Sequence, residues 1–570
     1  MKVIVQPDQI NVRKRNLRTI GLEVAVLIAS ALILSMAFPG FISKNGIGFL
    51  ALIALIPVFA VIRNAPIGAC MGYGFFFGFI FYLFFNYWLA TFHALAIILV
   101  PFIKAVEMLL LFLALKLCDR WLGSKSYIAQ AVCWVAYAYL SQSWFAGYPY
   151  GSIAYALYRY RALIQIADFS GIWGITFLMV LPQAFAGKWL CDSYNSHFKV
   201  SIVPSLRKEA IPLCIYCLLA VASVIYGIVS ISFWNSQTPD ITWKVAAVQH
   251  NADSWKGGYT TYKRNFNNLR KMTYEALLED PDMVIWSETA FVPSVAWHTN
   301  YPNADDYYDT AGLVEEFVEF GKGLPVPLLT GNPEGVLDGD EPYNADGSWN
   351  RKDYNTVIFF EDGQIKQTYR KQHLVPFTEH FPYEKQMPWL YNLLLANDYN
   401  WWEKGTESVV FETEQGVKFS TPICFEDVFG DINAAFVKNG ADLILNMTND
   451  SWSGSTAAEM QHAAIAAFRS VENRKTMVRA TNSGISCMIT PTGKIEDKME
   501  PFKMYWHIYD VPVYTSNPHT FYTEHGDLAA YIFVWASYAL LAFGLVKTLY
   551  IFFAKNNGAD RIKARFRRKK

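Results

Sequence analysis

Residues 417–427, VKFSTPICFED, join a short apolar run to a polar segment, and Cys424 stands where the two meet. The apolar run predicts a buried strand, and the polar residues predict a turn directly after it. The same arrangement occurs twice earlier in the chain, where Glu288 follows MVIWS and Lys371 follows IKQTYR. Because α/β folds collect reactive groups at the ends of strands, these three side chains are candidates for one site.

Each of the three residues has an ordinary structural interpretation when it is taken alone. Glu288 suits a helix N-terminal cap, Lys371 a surface charge, and Cys424 a small buried apolar residue. Together they make a complete nucleophilic site, because a thiol with a pKa near ~8.5 needs a base or a cation beside it to react at neutral pH. The combination predicts Glu288 as the base, Lys371 as the cation beside the thiol or the oxyanion, and Cys424 as the nucleophile.

Helix and strand patterns alternate throughout the region that contains these residues, which predicts an α/β sandwich with sizeable sheets over residues 235–527. The predicted strands are WKVAAVQHN (243–251), DMVIWSE (282–288), PVPLLTGNPE (325–334), YNTVIFFEDGQIKQTYRK (354–371), SVVFET (408–413) and ADLILNMTND (441–450), together with the opening stretch and residues 477–495. The predicted helices are TTYKRNFNNLRKMTYEALLED (260–280) and AAEMQHAAIAAFRSVENRK (457–475).

Apolar runs long enough to cross a bilayer, about 20 residues each, flank this region on both sides. They cover residues 20–38, 47–62, 67–90, 94–117, 127–146, 163–190 and 211–233 before it, and 528–554 after it. The predicted fold is an α-helical membrane bundle of eight spans with an inserted α/β domain. Its parts are a seven-helix domain (1–234), the inserted domain (235–527), a last helix (528–554) and a basic tail (555–570).

Basic residues lie outside both ends of the predicted bundle: Arg13, Lys14, Arg15 and Arg18 precede the first span, and seven Lys and Arg residues close the chain. The positive-inside rule therefore predicts cytoplasmic termini, and seven crossings place the inserted domain on the outer side. The first run has no small-residue cleavage site, which favours a retained helix over a signal peptide. The tail has a second interpretation, a lipid or nucleic-acid site. Since 49 basic residues balance 49 acidic ones, no global field favours nucleic acid.

The sequence predicts neither a metal nor a cofactor. His373, Asp427 and His462 are metal-ligand types, yet their spacing matches no compact ligand motif. Cys214 and Cys217 form a CxxC inside an apolar run, where they are interpreted as small hydrophobic residues.

Five motifs of the inserted domain resemble, in order and spacing, those of the nitrilase (carbon–nitrogen hydrolase) superfamily: VIWSETA, YRKQHLVPFTEHFP, TPICFED, ILNMTNDSW and RATNSGIS. The resemblance covers most of residues 243–515 and implies an αββα sandwich. It also implies that Glu288 is the general base, Lys371 stabilises the transition state and Cys424 is the nucleophile.

With its membrane spans and the outer-loop motif GYPYGS (147–152), nearly the whole chain resembles the apolipoprotein N-acyltransferase family. That resemblance implies a ping-pong reaction in which Cys424 accepts an acyl chain from a phospholipid. The chain then passes to the α-amine of a lipoprotein's diacylglyceryl-cysteine. The resemblance also implies that the protein is located in the inner membrane of a diderm bacterium, with the inserted domain in the periplasm.

Further positions carry over from these motifs with less specific roles. Glu379 and Glu426 order the triad or the nucleophile loop, and each also suits a structural hydrogen-bond partner. From their amide chemistry and turn-forming surroundings, Asn449 and Asn482 are candidates to shape the oxyanion or acyl pocket, or simply to form turns. Trp255 matches a substrate-contact tryptophan, or is a packed core residue. Phe425 departs from the family, in which tyrosine often follows the nucleophile.

Two apolar segments, MPWLYNLLLANDYNWW (387–402) and AFVPSVAW (290–297), suggest arms that dip into the outer leaflet and admit lipid. The alternative for both is ordinary packing on the sandwich. Two other functions also fit parts of the sequence. One is a membrane-bound carbon–nitrogen hydrolase (amidase) that releases its acyl group to water. The other is a transporter, suggested by Lys104 and Glu107 within a span, although these residues also suit pairing with each other.

Overall fold

A computed structural model of the protein describes residues 16–567 except 93, 145–146, 198–200, 302–309, 346 and 396–400, and gives no side chains beyond residue 553. Arg13, Lys14, Arg15 and the side chains of the basic tail therefore lie outside the described residues. So does part of the predicted arm at 387–402.

The described part of the chain begins with ten helices. They are α1 (Leu17–Met36), α2 (Ile56–Asn64), α3 (Ile67–Phe85), α4 (Leu89–Phe92), α5 (Ala96–Leu122), α6 (Ser126–Ser143), α7 (Arg161–Ile164), α8 (Ala167–Asn195), α9 (Ile202–Lys208) and α10 (Ala210–Ser236). Short 3₁₀ turns at Gly48–Leu52, Gly123–Lys125 and Ile153–Leu157 connect some of them.

Within the described residues, six helical stretches are long and apolar enough to cross a membrane. They are Leu17–Met36, Ile67–Phe85, Ala96–Ser143, Ala167–Asn195, Ala210–Ser236 and Leu528–Phe553. The stretch Ala96–Ser143 contains both α5 and α6, which match two of the predicted spans. The predicted span at 47–62 coincides with a shorter apolar stretch, Gly48–Asn64. The prediction of a membrane protein is confirmed, and the count of eight crossings stays a prediction.

Twelve strands follow within the described residues. They are β1 (Ile241–Gln249), β2 (Met283–Ile285), β3 (Leu328–Leu337), β4 (Arg351–Glu361), β5 (Gln364–Arg370), β6 (Val410–Glu412), β7 (Lys418–Ser420), β8 (Leu443–Thr448), β9 (Thr476–Thr481), β10 (Cys487–Ile489), β11 (Ile495–Glu496) and β12 (Tyr505–Val513). They form two six-stranded sheets, in the orders β12-β1-β2-β3-β4-β5 and β11-β10-β9-β8-β7-β6.

The two sheets share one plan. Strands β1, β2 and β3 pair in parallel in the first sheet, as do β7, β8 and β9 in the second, and antiparallel strands complete both. Apolar side chains from the inner faces, such as Ile285, Phe419 and Leu445, make one buried core between the sheets. Parallel strands of one sheet end at the same edge, which brings the loops after β2 and β7 to comparable positions in the two sheets.

Helices cover the outer face of each sheet. The helices between the strands are α11 (Tyr259–Ala276), α12 (Val295–Asn300), α13 (Thr310–Lys322), α14 (Pro388–Leu395), α15 (Gly430–Lys438) and α16 (Thr456–Asn473). Apolar residues of α11 and α13 pack on the first sheet, and those of α15 and α16 pack on the second. The predicted αββα sandwich is therefore confirmed.

Helix α16 lies between the second sheet and the membrane helices. Residues 457–473 of this helix are all buried, including polar ones that a surface helix would expose. On the membrane side, the Phe468 ring lies 5.1 Å from that of Tyr155, centroid to centroid. A helix buried all round has packing partners on both sides. The sandwich thus packs directly on the membrane bundle, and α17 (Phe521–His525) and α18 (Leu528–Arg567) close the chain.

The apolar segment 290–297 does not form the predicted arm. Phe291, Val295 and Trp297 are each at most 2% exposed, and the Phe291 ring stacks on that of Phe317 with centroids 4.4 Å apart. The prediction is wrong because α13 offers this segment an aromatic surface, so its side chains are buried within the sandwich.

Candidate active site

Glu288, Lys371 and Cys424 meet at the strand ends where the sequence predicts them. Glu288 follows β2, Lys371 directly follows β5, and Cys424 begins a 3₁₀ turn, Cys424–Val428, after β7. They are 6%, 1% and 8% exposed, respectively. Lys371 is therefore not a surface charge, and its Nζ lies 3.2 Å from Glu288 Oε1.

Lys371 contacts two carboxylates at once. Its Nζ donates to Glu288 Oε1 at 3.2 Å and to Glu379 Oε1 at 2.8 Å. Burial alone lowers the pKa of Lys371, but the two carboxylates outweigh it and hold the pKa well above its ordinary value. The site therefore contains a permanent cation.

Glu288 is held by donors on three sides. Besides Lys371, Asn355 Nδ2 on β4 donates to Glu288 Oε1 at 2.9 Å, and the Asn449 backbone N–H donates to Oε2 at 2.9 Å. Asn355 Nδ2 also reaches Glu379 Oε1 at 3.2 Å. The carboxylate is thus fixed in orientation as well as in position. Sequence reasoning missed Asn355, because an asparagine inside a strand carries no distinguishing pattern.

Cys424 combines an unusual backbone with a perturbed thiol. Its φ of 50° lies in the left-handed region, which costs a non-glycine residue about 1 kcal/mol. Burial raises the pKa of the thiol well above its ordinary value, the Glu288 charge adds to that rise, and Lys371 opposes it. The thiol is therefore protonated at neutral pH and needs a base to become a nucleophile.

The loop after β2, which carries the base Glu288, also contains a residue with left-handed backbone. Thr289, directly after Glu288, has a φ of 50°. The loop packs so closely on β3 that a Cβ on Gly331 would lie 2.2 Å from the Thr289 nitrogen. Glycine is required at this position, because any side chain would displace the backbone that carries Glu288.

Glu426 joins the nucleophile turn to the strand end that carries Lys371. Fully buried, it accepts hydrogen bonds from the N–H groups of Gln372 at 2.7 Å and His373 at 2.9 Å. It also accepts from the Ile423 N–H at 2.8 Å and the Tyr369 hydroxyl at 2.8 Å. Burial raises the pKa of Glu426, and these donors oppose the rise. The geometry matches the structural interpretation of this residue.

Asn449 and Asn482 form a bridge to the loop that carries Trp255. Asn482 Nδ2 donates to Asn449 Oδ1 at 3.0 Å, and Asn482 also exchanges two hydrogen bonds with the backbone of Ala252. Ser254 Oγ donates to Asn449 Oδ1 at 3.0 Å. The turn interpretation of both asparagines therefore fits, while the Asn449 N–H contacts the base directly.

Trp255 is not a packed core residue. It is 64% exposed, and its ring lies 5.9 Å from that of Phe92 on α4. The Phe92 ring in turn contacts that of Trp452 edge-on at 5.0 Å. An exposed tryptophan beside the short helix α4, fixed by its loop to the base, is consistent with a substrate contact.

A buried ionic cluster connects the turn that begins with Cys424 to the loop that follows β8. His462 Nε2 is 2.6 Å from Asp427 Oδ1, and His462 Nδ1 is 3.0 Å from Asp450 Oδ1. Arg479 forms an ion pair with Asp427 and lies 3.7 Å from Asp450 Oδ2. From the sequence, Asp427 and His462 were candidates only for metal ligands, because their pairing depends on a contact between distant loops.

The motif GYPYGS brings the membrane bundle into the site. The Tyr150 ring lies parallel to that of Phe425, beside the nucleophile, at 6.4 Å, and 6.2 Å from the His462 ring. Tyr150 also stacks on Tyr148, whose hydroxyl donates to Asn86 Oδ1 at 2.9 Å. Phe425 keeps its aromatic contacts without the hydroxyl that is common in the family.

Lys104 and Glu107 pair with each other at 2.9 Å, as one interpretation predicted. Lys104 also donates to the Ser141 carbonyl at 3.1 Å and lies 5.9 Å from the Tyr148 ring centroid. These contacts support the loop between α6 and α7 that carries Tyr150. The pair therefore has a structural explanation that does not require transport.

The second predicted arm has an exposed apolar surface. Within α14, Trp389 is 68% and Leu393 54% exposed. Both residues come between Lys371 and Cys424 in the chain and lie in the described part of the segment 387–402. Large apolar side chains that face outward are typical of a lipid or partner surface.

An αββα sandwich that gathers a buried glutamate, lysine and cysteine at its strand ends is typical of carbon–nitrogen hydrolases, and here it stands on a membrane bundle. Two family models match this division of the chain. Carbon-nitrogen hydrolase matches residues 244–504, and the apolipoprotein N-acyltransferase N-terminal domain matches residues 30–185.

Relatives extend the match over both parts of the chain. Apolipoprotein N-acyltransferase 1 of Treponema denticola is 37% identical over 521 residues, which cover 89% of this chain and 93% of the relative. Its counterpart in Treponema pallidum is 34% identical over 547 residues, which cover 92% and 96%. The chain therefore belongs to the apolipoprotein N-acyltransferase family, and the resemblance found in its motifs is confirmed.

Among solved structures, an amidase of Nesterenkonia from the nitrilase superfamily is 16% identical over 49% of this chain and 94% of its own, with a TM-score of 0.34. This similarity is too low to support a conclusion about the fold.

Proposed function

We propose that the protein is an acyltransferase that moves a fatty acyl chain from a phospholipid, through a thioester on Cys424, to the α-amine of an N-terminal diacylglyceryl-cysteine on a lipoprotein. The relatives' shared name supports the reaction. One observation carries the proposal: the buried Glu288, Lys371 and Cys424 lie in a sandwich packed directly on membrane helices. A lipid ester can therefore approach the nucleophile without leaving the membrane.

The first half-reaction forms the thioester. Glu288 accepts the proton of the Cys424 thiol, and the sulfur attacks the ester carbonyl carbon of the phospholipid. Lys371 and the N–H groups of the turn after Cys424 stabilise the oxyanion. The carbon–oxygen bond then breaks, and the proton on Glu288 passes to the departing glycerol oxygen. A lysophospholipid leaves.

The second half-reaction consumes the thioester. The lipoprotein's α-amine, in its neutral form, attacks the thioester carbon and gives a proton to Glu288. The carbon–sulfur bond breaks, an amide forms, and the proton returns to the Cys424 sulfur. The same base therefore serves both halves, and Lys371 keeps its charge throughout.

The supporting residues have distinct proposed roles. Glu379 holds Lys371 in place, and Glu426 ties the Lys371 strand end to the nucleophile turn. Asn449 orients Glu288 through its backbone N–H, and Asn482 fixes Asn449. Trp255 contacts substrate at the exposed rim.

The proposed setting is the inner membrane of a diderm bacterium, with eight crossings. The seven-helix domain (1–234), the catalytic domain (235–527), the last helix (528–554) and the cytoplasmic basic tail (555–570) keep their predicted division. Strand β1 begins at Ile241, shortly after α10 ends at Ser236, which supports the first boundary.

The test is acyl transfer from a phospholipid with a labelled acyl chain. Purified protein is expected to gain hydroxylamine-sensitive label and to lose it to a diacylated lipopeptide. The Cys424→Ala variant is expected to remain unlabelled. Cys487→Ala removes another buried cysteine of the same domain and is the matched control, which labels normally. Loss of label to water at the same rate without the lipopeptide contradicts the proposal and favours an amidase.

A further inference from the structure

His462 joins the two loops that carry the nucleophile and the base. It contacts Asp427, in the 3₁₀ turn that begins with Cys424, and Asp450, which directly follows Asn449. The Asn449 N–H holds Glu288 Oε2 at 2.9 Å. A continuous path of short contacts therefore runs from the Cys424 turn through His462 to Glu288.

The contacts define the charge of this histidine. A carboxylate can only accept hydrogen bonds, and both ring nitrogens of His462 lie within 3.0 Å of a carboxylate oxygen. Both nitrogens must therefore carry hydrogen, as in the imidazolium form. Burial lowers the pKa of His462, but Asp427 and Asp450 outweigh it and raise the pKa to about 9.

The cluster is neutral as a whole and isolated from solvent. Two cations, His462 and Arg479, face two carboxylates, and all four side chains are at most 6% exposed. Tyr150 is the neighbouring ring on the membrane side, and Glu459 is a further carboxyl near Asp450. Arg479 contacts Asp427 closely but Asp450 Oδ2 only at 3.7 Å. His462 therefore makes the closer contact with Asp450.

We propose that His462 is a positioning residue that fixes the distance between the Cys424 turn and Glu288. This inference rests on the proposed roles of Cys424 and Glu288. The mechanical reason is that both loops have strained backbones, at Cys424 and Thr289, which persist only when surrounding contacts fix them. A short charged bridge between the loops provides that restraint.

The test measures the reactivity of Cys424 with iodoacetamide, a reagent that requires no lipid, in the full-length protein. At neutral pH, His462→Gln is expected to slow alkylation by about 10²-fold, since a small misplacement of reacting groups has an effect of this size. In acyl transfer, kcat is expected to fall while the KM for phospholipid stays within about 2-fold. Asn473→Ala, at the end of the same helix, removes buried hydrogen bonds that contact neither loop and is the matched control.

A double variant separates positioning from simple electrostatics. His462→Gln leaves one excess negative charge near the thiol, and adding Asp427→Asn restores neutrality without restoring the bridge. Positioning predicts that the double variant is no faster than His462→Gln, because both changes break the same contact. Recovery of the wild-type rate in the double variant, or less than about 3-fold slowing in His462→Gln, would overturn the inference.

Two further measurements keep the outcomes distinct. If His462→Gln does not fold, Asp450→Ala removes the acceptor of the other half of the bridge, and the same slowing is expected. If alkylation slows as expected but labelled phospholipid never acylates the wild type, His462 keeps its positioning role. The proposed acyl donor is then wrong.

Discussion

The ring of Tyr150 lies parallel to that of Phe425, with 6.4 Å between their centroids and 8° between their planes. Tyr150 belongs to a loop of the membrane part, between α6 and α7, whereas Phe425 directly follows the nucleophile. One wall of the nucleophile turn is therefore supplied by the membrane bundle. The surroundings of the nucleophile turn therefore combine residues from both parts of the chain.

Removing the Tyr150 ring is expected to slow thioester formation. Tyr150→Ala leaves a cavity beside Phe425 and the Cys424 turn, and we expect a roughly 10- to 100-fold lower rate. Tyr150→Phe keeps the ring and is expected to remain within about 3-fold of wild type. The rate at which labelled phospholipid acylates each variant measures both effects. Equal losses in the two variants would show that the hydroxyl, and not the ring, matters.

Glu426→Gln is expected to lower the stability of the protein and also to slow acyl transfer. The glutamine amide cannot accept at its nitrogen, so some of the donors from Ile423, Gln372 and His373 lose their partner, at a cost of about 1–3 kcal/mol each. The midpoint of thermal unfolding should fall. Glu412→Gln, at an exposed carboxylate on β6, is the control and should match wild type. A normal midpoint with full activity in Glu426→Gln would contradict this account.

The fold was predictable wherever local pattern decides structure. The strand ends at Glu288, Lys371 and Cys424 follow from alternating apolar runs, and so does each long apolar helix. Segment 290–297 misled prediction because an apolar run does not reveal whether it faces lipid or the α13 aromatics. The run at 47–62 proved to be a 3₁₀ turn followed by a nine-residue helix, α2, because Pro57 favours the start of a helix and not its middle.

The site was predictable only in part. The triad stood out because each member follows an apolar strand, and the motifs implied Glu379 and Glu426. Asn355 acts through contacts between elements far apart in the chain, so its spacing carries no signal. Tyr150 lies in the motif GYPYGS, but its contact with Phe425 arises only on folding. His462 was noticed for its chemistry but given no role, because its two carboxylate partners become neighbours only after folding.

The His462 charge predicts how stability depends on pH. Its pKa is about 9 in the folded protein and near ~6.5 when unfolded. Below about pH 6.5 both states are protonated, and the stabilisation is fully present. As pH rises towards 9, the unfolded state has released its proton and the stabilisation is lost.

Thermal unfolding at a series of pH values tests this dependence. The midpoint difference between wild type and His462→Gln should be largest near about pH 6 and shrink towards about pH 9. Glu472 and Glu459, whose pKa values burial raises to about 8 and about 10, add a slope of the same sign to both proteins. Their effect therefore cancels in the difference. A difference that is constant with pH would show that His462 carries no charge.

The eight crossings predict a specific pattern of reporter activity. Alkaline phosphatase inserted after residue 238 should be active, and a fluorescent protein fused after residue 570 should fluoresce in the cytoplasm. The stretch Gly48–Asn64 decides the count, because it is shorter than the other candidate spans. If it does not cross, phosphatase after residue 66 becomes active and phosphatase after residue 238 becomes inactive.

The exposed face of α14 is expected to serve lipid access and not the chemical step. Trp389→Ser and Leu393→Ser remove apolar surface without touching the triad, so the KM for phospholipid in vesicles should rise several-fold, because less apolar area enters the bilayer. Alkylation of Cys424 by iodoacetamide should stay unchanged. Leu278→Ser is the matched control, since Leu278 is 84% exposed in the 3₁₀ turn that follows α11 and lies outside the segment 387–402. Because every exposed leucine loses similar area, an equal rise in KM in Leu278→Ser would mean that general surface hydrophobicity, and not the arm, binds lipid.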